Sequence, residues 1–139
     1  MKCLLMFLFC CLLATAAQAV TVSSGLVHWG ESGNNSPMLG VAEGRLSADW
    51  SKDGAVSHAG VGVGFPVYVV QGAKIRAQVG AGTAWDDWDL WLPELFLGLT
   101  AGVQHEGVGF FAGVRRYEYG GEFESALSYS VGVSVNLSK

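Results

Sequence analysis

From Leu127 to Ser138 the chain alternates without a break. Leu127, Tyr129, Val131, Val133, Val135 and Leu137 fall on one side, and Ser128, Ser130, Gly132, Ser134, Asn136 and Ser138 on the other. Successive side chains of a β-strand point to opposite faces, so such a segment carries one apolar face and one small, polar face. In a soluble sandwich the apolar face turns inward, while the outer face carries long solvated side chains. Here the second face is serine, glycine and asparagine, which suits a confined space better than open water.

The pattern recurs upstream. Leu95, Leu97, Leu99, Ala101 and Val103 alternate with Phe96, Gly98, Thr100, Gly102 and Gln104; Ile75, Ala77, Val79 and Ala81 alternate with Arg76, Gln78, Gly80 and Gly82. Val108, Phe110, Ala112 and Val114 oppose Gly109, Phe111, Gly113, Arg115 and Tyr117, and Ala59, Val61, Val63 and Phe65 oppose His58, Gly60, Gly62 and Gly64. Met38 to Trp50 alternates less cleanly, with Ala42, Leu46, Ala48 and Trp50 opposite Glu43, Arg45, Ser47 and Asp49. Turn-like separators stand at Ser51 to Gly54, Gln71 to Ala73, His105 to Gly107 and Tyr119 to Glu124, with longer polar connections at Gly30 to Pro37 and Trp85 to Pro93. The expected strands are Val20 to Trp29, Met38 to Trp50, Ala55 to Gly64, Phe65 to Val70, Lys74 to Ala84, Glu94 to Gln104, Val108 to Glu118 and Ser125 to Leu137. The weak point is Gly64-Phe65-Pro66. Alternation runs through Pro66 in phase, so Ala55 to Val70 reads equally as one long strand, which leaves seven segments and requires an unseen eighth, because bacterial membrane barrels use even numbers.

Met1 to Ala19 has the order of a secretory signal: Lys2, an apolar run, then Ala17-Gln18-Ala19. Cleavage there predicts a mature barrel domain over 20–139. Cys3, Cys10 and Cys11 all lie in that leader, so the exported part contains no disulfide and no cysteine metal site. Without Lys2 there are 7 basic and 12 acidic residues, a net charge of -5, which argues against a nucleic-acid partner. No window after Ala19 reaches the roughly 18 consecutive apolar residues of a membrane helix.

Together these features predict an all-β fold, a closed antiparallel transmembrane β-barrel of eight strands. In lipid every backbone polar group must be satisfied within the protein, and a closed ladder does so. The apolar faces would meet lipid. A narrow eight-stranded wall leaves an interior that side chains just fill, hence the small residues within. Glu43, Arg45, His58, Arg76, Gln78, Gln104 and Arg115 are the expected lumen polar network, paired with one another because unpaired buried charge is costly. Such a network is a plug that fixes register more than a pore.

The pattern resembles the small eight-stranded outer-membrane barrels of Gram-negative bacteria over most of the mature chain, although those usually end on an aromatic residue and this chain ends Asn136-Leu137-Ser138-Lys139. The stretch GVRRYEYGG, Gly113 to Gly121, resembles the penultimate strand of the lipid A 3-O-deacylase (PagL-type) family, and PVYVVQGAKIRAQVGAG, Pro66 to Gly82, resembles that family's central hairpin. By that resemblance the catalytic histidine position holds Glu118 and the serine position Gly120. A hydrolase needs a nucleophile and a base in contact, so the resemblance implies a shared barrel more than a shared reaction.

His28, His58 and His105 lie on separate segments without metal-ligand spacing, and Asp86, Asp87, Asp89 and Glu94 lack the ordered oxygens and glycine of a calcium loop. GVGVG, Gly60 to Gly64, precedes no helix and reads as strand glycine, not a nucleotide loop. No cofactor is expected. The surface-loop candidate is Trp85, Asp86, Asp87, Trp88, Asp89 and Trp91, the least generic exposed stretch, with its tryptophans, and Trp29 and Trp50 at other strand ends, read as an interfacial aromatic belt. The expectation is a monomeric, non-enzymatic outer-membrane protein of structural or surface-interaction role, with outer-membrane lipid and lipopolysaccharide as its surroundings. The alternatives are a deacylase-like envelope lipid hydrolase and a soluble periplasmic barrel binding an apolar ligand.

Overall fold

The computed structural model describes residues 20–86, 91–120 and 125–137. Eight strands form one closed antiparallel barrel in sequence order: β1 Val20–Trp29, β2 Asn35–Glu43, β3 Leu46–Asp53, β4 Val56–Val70, β5 Ala73–Trp85, β6 Trp91–His105, β7 Val108–Tyr119 and β8 Ala126–Asn136. β8 returns to pair with β1, Thr21 opposite Asn136 and Trp29 opposite Ser128, so every strand has a neighbour on both sides.

Register fixes the cylinder's dimensions. The paired residues Val20, Glu43, Leu46, Val63, Val79, Leu97, Arg116 and Leu127 lead once around the wall. Leu127 O then accepts from the N–H of Gly30, ten residues beyond the starting Val20. That stagger tilts the strands by roughly 40° and leaves a lumen of side-chain width.

Eight strands are present, one boundary differs from the sequence reading, and of the two readings around Pro66 the continuous strand is the one found, with the extra strand supplied elsewhere. Met38 to Trp50 is a hairpin: the chain turns at Gly44-Arg45, with Glu43 opposite Leu46 and Gly44 at φ +57°. A two-residue turn puts its flanking residues on the same face, so parity inverts across it. Met38, Gly40 and Ala42 point inward before the turn, and Ser47, Asp49 and Ser51 after it. Conversely, Ala55 to Val70 is one strand. β3 pairing ends at Leu46 with Val63, and a register shift against β5 falls between Pro66 and Tyr68. Proline, which has no N–H to donate, is tolerated at such an edge and bulge.

The two faces are inverted relative to a soluble barrel. Val131 is 57% exposed and Val133 43%, while Ser128 is 4% exposed. Leu26, Leu39, Leu46, Val61, Leu95, Leu97 and Phe110 are likewise exposed on the outer wall. Three connections at one end, Gly44-Arg45, Gln71-Gly72 and Glu106-Gly107, are tight turns whose glycines have positive φ, a conformation that favours glycine. The opposite end carries the longer connections at 30–34, 86–90 and 120–125, together with one tight turn at Gly54-Ala55. These are called here the turn end and the loop end.

Candidate functional site

The interior is built in layers. At the loop end Trp29, 1% exposed, closes the barrel, its indole N–H donating to the Lys52 carbonyl. His58 lies beneath it, ring centroids 4.4 Å apart, and Tyr117 and Tyr119 flank the imidazole at 5.6 and 6.3 Å. His58 Nδ1 donates to Glu94 Oε2 at 2.9 Å, both side chains almost fully enclosed. The carboxylate thereby fixes which imidazole nitrogen carries the proton, and each polar group satisfies the other. Ser36, also buried, donates to the same Lys52 carbonyl as Trp29. This layer is a plug of stacked rings around one polar pair.

Phe96 occupies the next layer. Gly60 and Gly62 leave the room for its ring, since a Cβ added at either would lie 3.1 or 3.0 Å from it. GVGVG is therefore a bare patch of wall that receives a side chain from across the lumen. Phe96 in turn supports Arg115, whose guanidinium carbon is 4.1 Å from the ring centroid, a cation–π arrangement. The guanidinium makes a two-pronged contact with Asp49, Nη1 to Oδ1 at 3.0 Å and Nη2 to Oδ2 at 2.8 Å, and also donates to Gln78 Oε1 and Tyr117 OH. Paired charges with parallel hydrogen bonds are the form in which ionised groups persist away from bulk water.

Below this layer the lumen opens into a cavity of about 470 Å³ reaching the turn end. Arg76 enters it from β5 and donates to the Gly44 carbonyl at 3.1 Å. Gly64 accommodates that guanidinium, for a Cβ there would lie 2.9 Å from Arg76 Nη2.

Of the seven residues expected in the lumen network, His58, Arg76, Gln78 and Arg115 face inward, and Gln104 faces inward at the exposed turn-end rim. Glu43 and Arg45 do not. Glu43 ends β2 on the outer face opposite Leu46, and Arg45 sits in the exposed turn beside the Phe65 ring. Both displacements follow from the parity inversion at Gly44-Arg45. The residues that complete the two polar clusters, Asp49 and Glu94, lie outside the expected network, although their alternation phase places them on the inward face.

Trp29 also departs from expectation, being the lid of the interior and not a belt residue. Trp85 and Trp91 do lie on the outer wall at the loop end, stacked with centroids 5.4 Å apart across the ends of the β5–β6 connection. Asp86 adjoins them, and Asp87, Trp88 and Asp89 lie outside the described residues. His28 and His105 sit far from His58, His28 bonding to Asn35 and His105 in the exposed turn-end rim. Among the described residues no cluster of histidines and acids could hold a metal ion. On the outer face of β7, Glu118 Oε1 accepts from Arg116 Nε at 2.6 Å, and Gly120 follows it.

No protein-family model and no curated protein matches the sequence. Solved structures do match. A designed transmembrane β-barrel aligns with a TM-score of 0.61 at 11% identity, covering 87% of this chain and 97% of that one. The fold is that of transmembrane barrels. The N-terminal β-barrel domain of Pseudomonas aeruginosa OprF aligns with a TM-score of 0.56 at 13% identity, over 87% of this chain and 98% of that one. Neisserial surface protein A, NspA, gives 0.54 at 15% identity, over 87% and 96%. At such identities the likeness concerns the backbone cylinder and carries no residue roles across.

Proposed function

We propose that this chain is an exported outer-membrane barrel of Gram-negative envelopes, monomeric and non-enzymatic, with a structural or surface-interaction role. The observation that carries the reading is the inverted wall. Leucines, valines and Phe110 cover the outside, whereas the polar pairs His58–Glu94 and Arg115–Asp49 are enclosed. Water is a poor solvent for that exterior and hydrocarbon a good one. The alternative of a soluble barrel holding an apolar ligand would need the large apolar side chains turned inward, and here most of them cover the outer wall, while the cavity mixes Met38 and Phe111 with hydroxyls, amides and charges.

Tight turns at one end and longer loops at the other match the periplasmic and extracellular sides of such barrels. The stacked Trp85–Trp91 pair then sits at the outer interface, beneath the loop best placed for contact with lipopolysaccharide or another surface molecule. The leader at 1–19 supplies export by the secretory route. The polar plug under Trp29 supports a closed interior over a continuous pore.

The test is fractionation followed by gel migration with and without boiling. A closed barrel in the outer-membrane fraction migrates faster unheated and shifts on boiling; recovery in the soluble periplasm without such a shift would refute the proposal. For the hydrolase alternative, mass spectrometry of lipid A from cells with and without the protein would reveal a lost acyl chain.

A further inference from the structure

The turn-end cavity has a charge opposite to that of the protein around it. Arg76 and Arg115 line it from within and Lys74 from the exposed turn-end rim, and Asp49 is the one acid among its described lining residues. Asp49 is committed to Arg115. Among the described residues, no carboxylate lies within ion-pair distance of Lys74 or Arg76, so the cavity has an excess of two positive charges. Counting Arg and Lys against Asp and Glu, the exported chain as a whole is at -5. A cationic recess inside low-dielectric walls focuses field and concentrates anions.

The two free cations are two residues apart on the same face of β5, and Thr100 stands directly opposite Arg76. Among the described residues Arg76 makes one hydrogen bond, to the Gly44 carbonyl, out of the five N–H groups a guanidinium presents. Hydroxyls surround the pair. They belong to Thr21, Ser23, Thr100, Ser130 and Ser134 of the cavity lining. At about 470 Å³ the space exceeds a bare oxyanion and suits a small organic molecule. Trp29, His58, Phe96 and Tyr117 close the far side, so entry is from the turn end.

We infer that the turn-end half of the lumen is a binding site for a small phosphate monoester carrying hydroxyls, of the polyol-phosphate class. Arg76 supplies a planar fork and Lys74 a point charge for the dianionic phosphoryl group. Thr100, Ser130 and Ser134 offer hydroxyls to those of the organic part. The blocked loop end makes the site a cup and not a channel. This inference goes beyond the role proposed above. It requires the closed cylinder alone and does not depend on where in the cell the protein resides.

The experiment uses the mature protein refolded in detergent micelles, its closure certified by the unheated gel band. Glycerol 3-phosphate is titrated by isothermal calorimetry and by its ³¹P resonance, with glycerol as the uncharged control. Saturable binding of glycerol 3-phosphate and none of glycerol is expected. Lys74→Gln and Arg76→Gln each weaken binding by about tenfold and the double variant abolishes it, since each removes one charge-assisted contact. Arg116→Gln, on the outer wall, leaves affinity unchanged and controls for general loss of charge. Absence of saturable binding by the closed wild-type barrel, or undiminished binding by the closed double variant, overturns the inference.

Discussion

Replacing Asp49 by asparagine probes the ion pair at the centre of the barrel while preserving side-chain size. Arg115 would lose both short contacts to a carboxylate, at 2.8 and 3.0 Å, and keep Gln78, Tyr117 and the face of Phe96. Breaking a fully buried pair from one side costs about 3 to 5 kcal/mol. The side chains of Arg115 and Asp49 retain 15% and 14% exposure and border the open cavity, so water can partly replace the lost partner. The expected cost is therefore about 2 to 4 kcal/mol, between that of a charged hydrogen bond and that of a stranded buried ion. Urea unfolding in micelles, followed by tryptophan emission, measures it. Arg115→Met strands Asp49 in the same way. Because the two residues are in direct contact, the double variant is expected to fall short of the summed single effects by about 2 kcal/mol. Asp49→Asn within about 0.5 kcal/mol of wild type, or strictly additive singles, would show that the pair is not what holds this layer together.

Val131→Arg, at the middle of β8 with its side chain 57% exposed, is expected to destabilise the barrel in lipid by about 2 to 4 kcal/mol, whereas the neighbouring inward Ser130→Ala changes it little; vesicle-based unfolding compares the two. Gly62→Val forces a branched side chain against Phe96, 3.0 Å from even a bare Cβ, and is expected to abolish the heat-modifiable band, with Phe96→Ala in the same chain restoring it. Gly72→Val, in a turn at φ +87°, is expected to cost about 1 to 2 kcal/mol by backbone strain alone, read from the same unfolding curves.

How much of this was legible depended on whether a local rule acted alone. In β6, β7 and β8 every inward and outward position follows from alternation, because no turn interrupts them and each face is chemically uniform. At Ala42 to Leu46 the same rule misleads. Gly44-Arg45 is a turn too short to disturb the spacing of small residues, and reading through it put Ala42 and Leu46 on one face when they lie on opposite ones. At Pro66 alternation left two readings open, and tertiary context decides for the continuous one: a residue that usually ends strands is accommodated because β3 has already stopped and β5 absorbs the shift. In the interior, His58 and Arg115 were visible as polar residues in phase. Their partners, Glu94 thirty-six residues from His58 and Asp49 sixty-six from Arg115, are set by the barrel's stagger, which no local window of sequence reveals.

The seam between β1 and β8 has a consequence for how the molecule comes into being. Its ladder joins the first strand made to the last, Val22 to Val135 and Leu26 to Val131 among others, and Leu137 N–H donates to the Val20 carbonyl. Until β8 is in place, β1 presents a long unsatisfied margin that another strand could capture, so the chain needs shelter until the last strand of the barrel docks. Cylinder formation is thus a single terminal event, and a partial barrel has no resting state of its own.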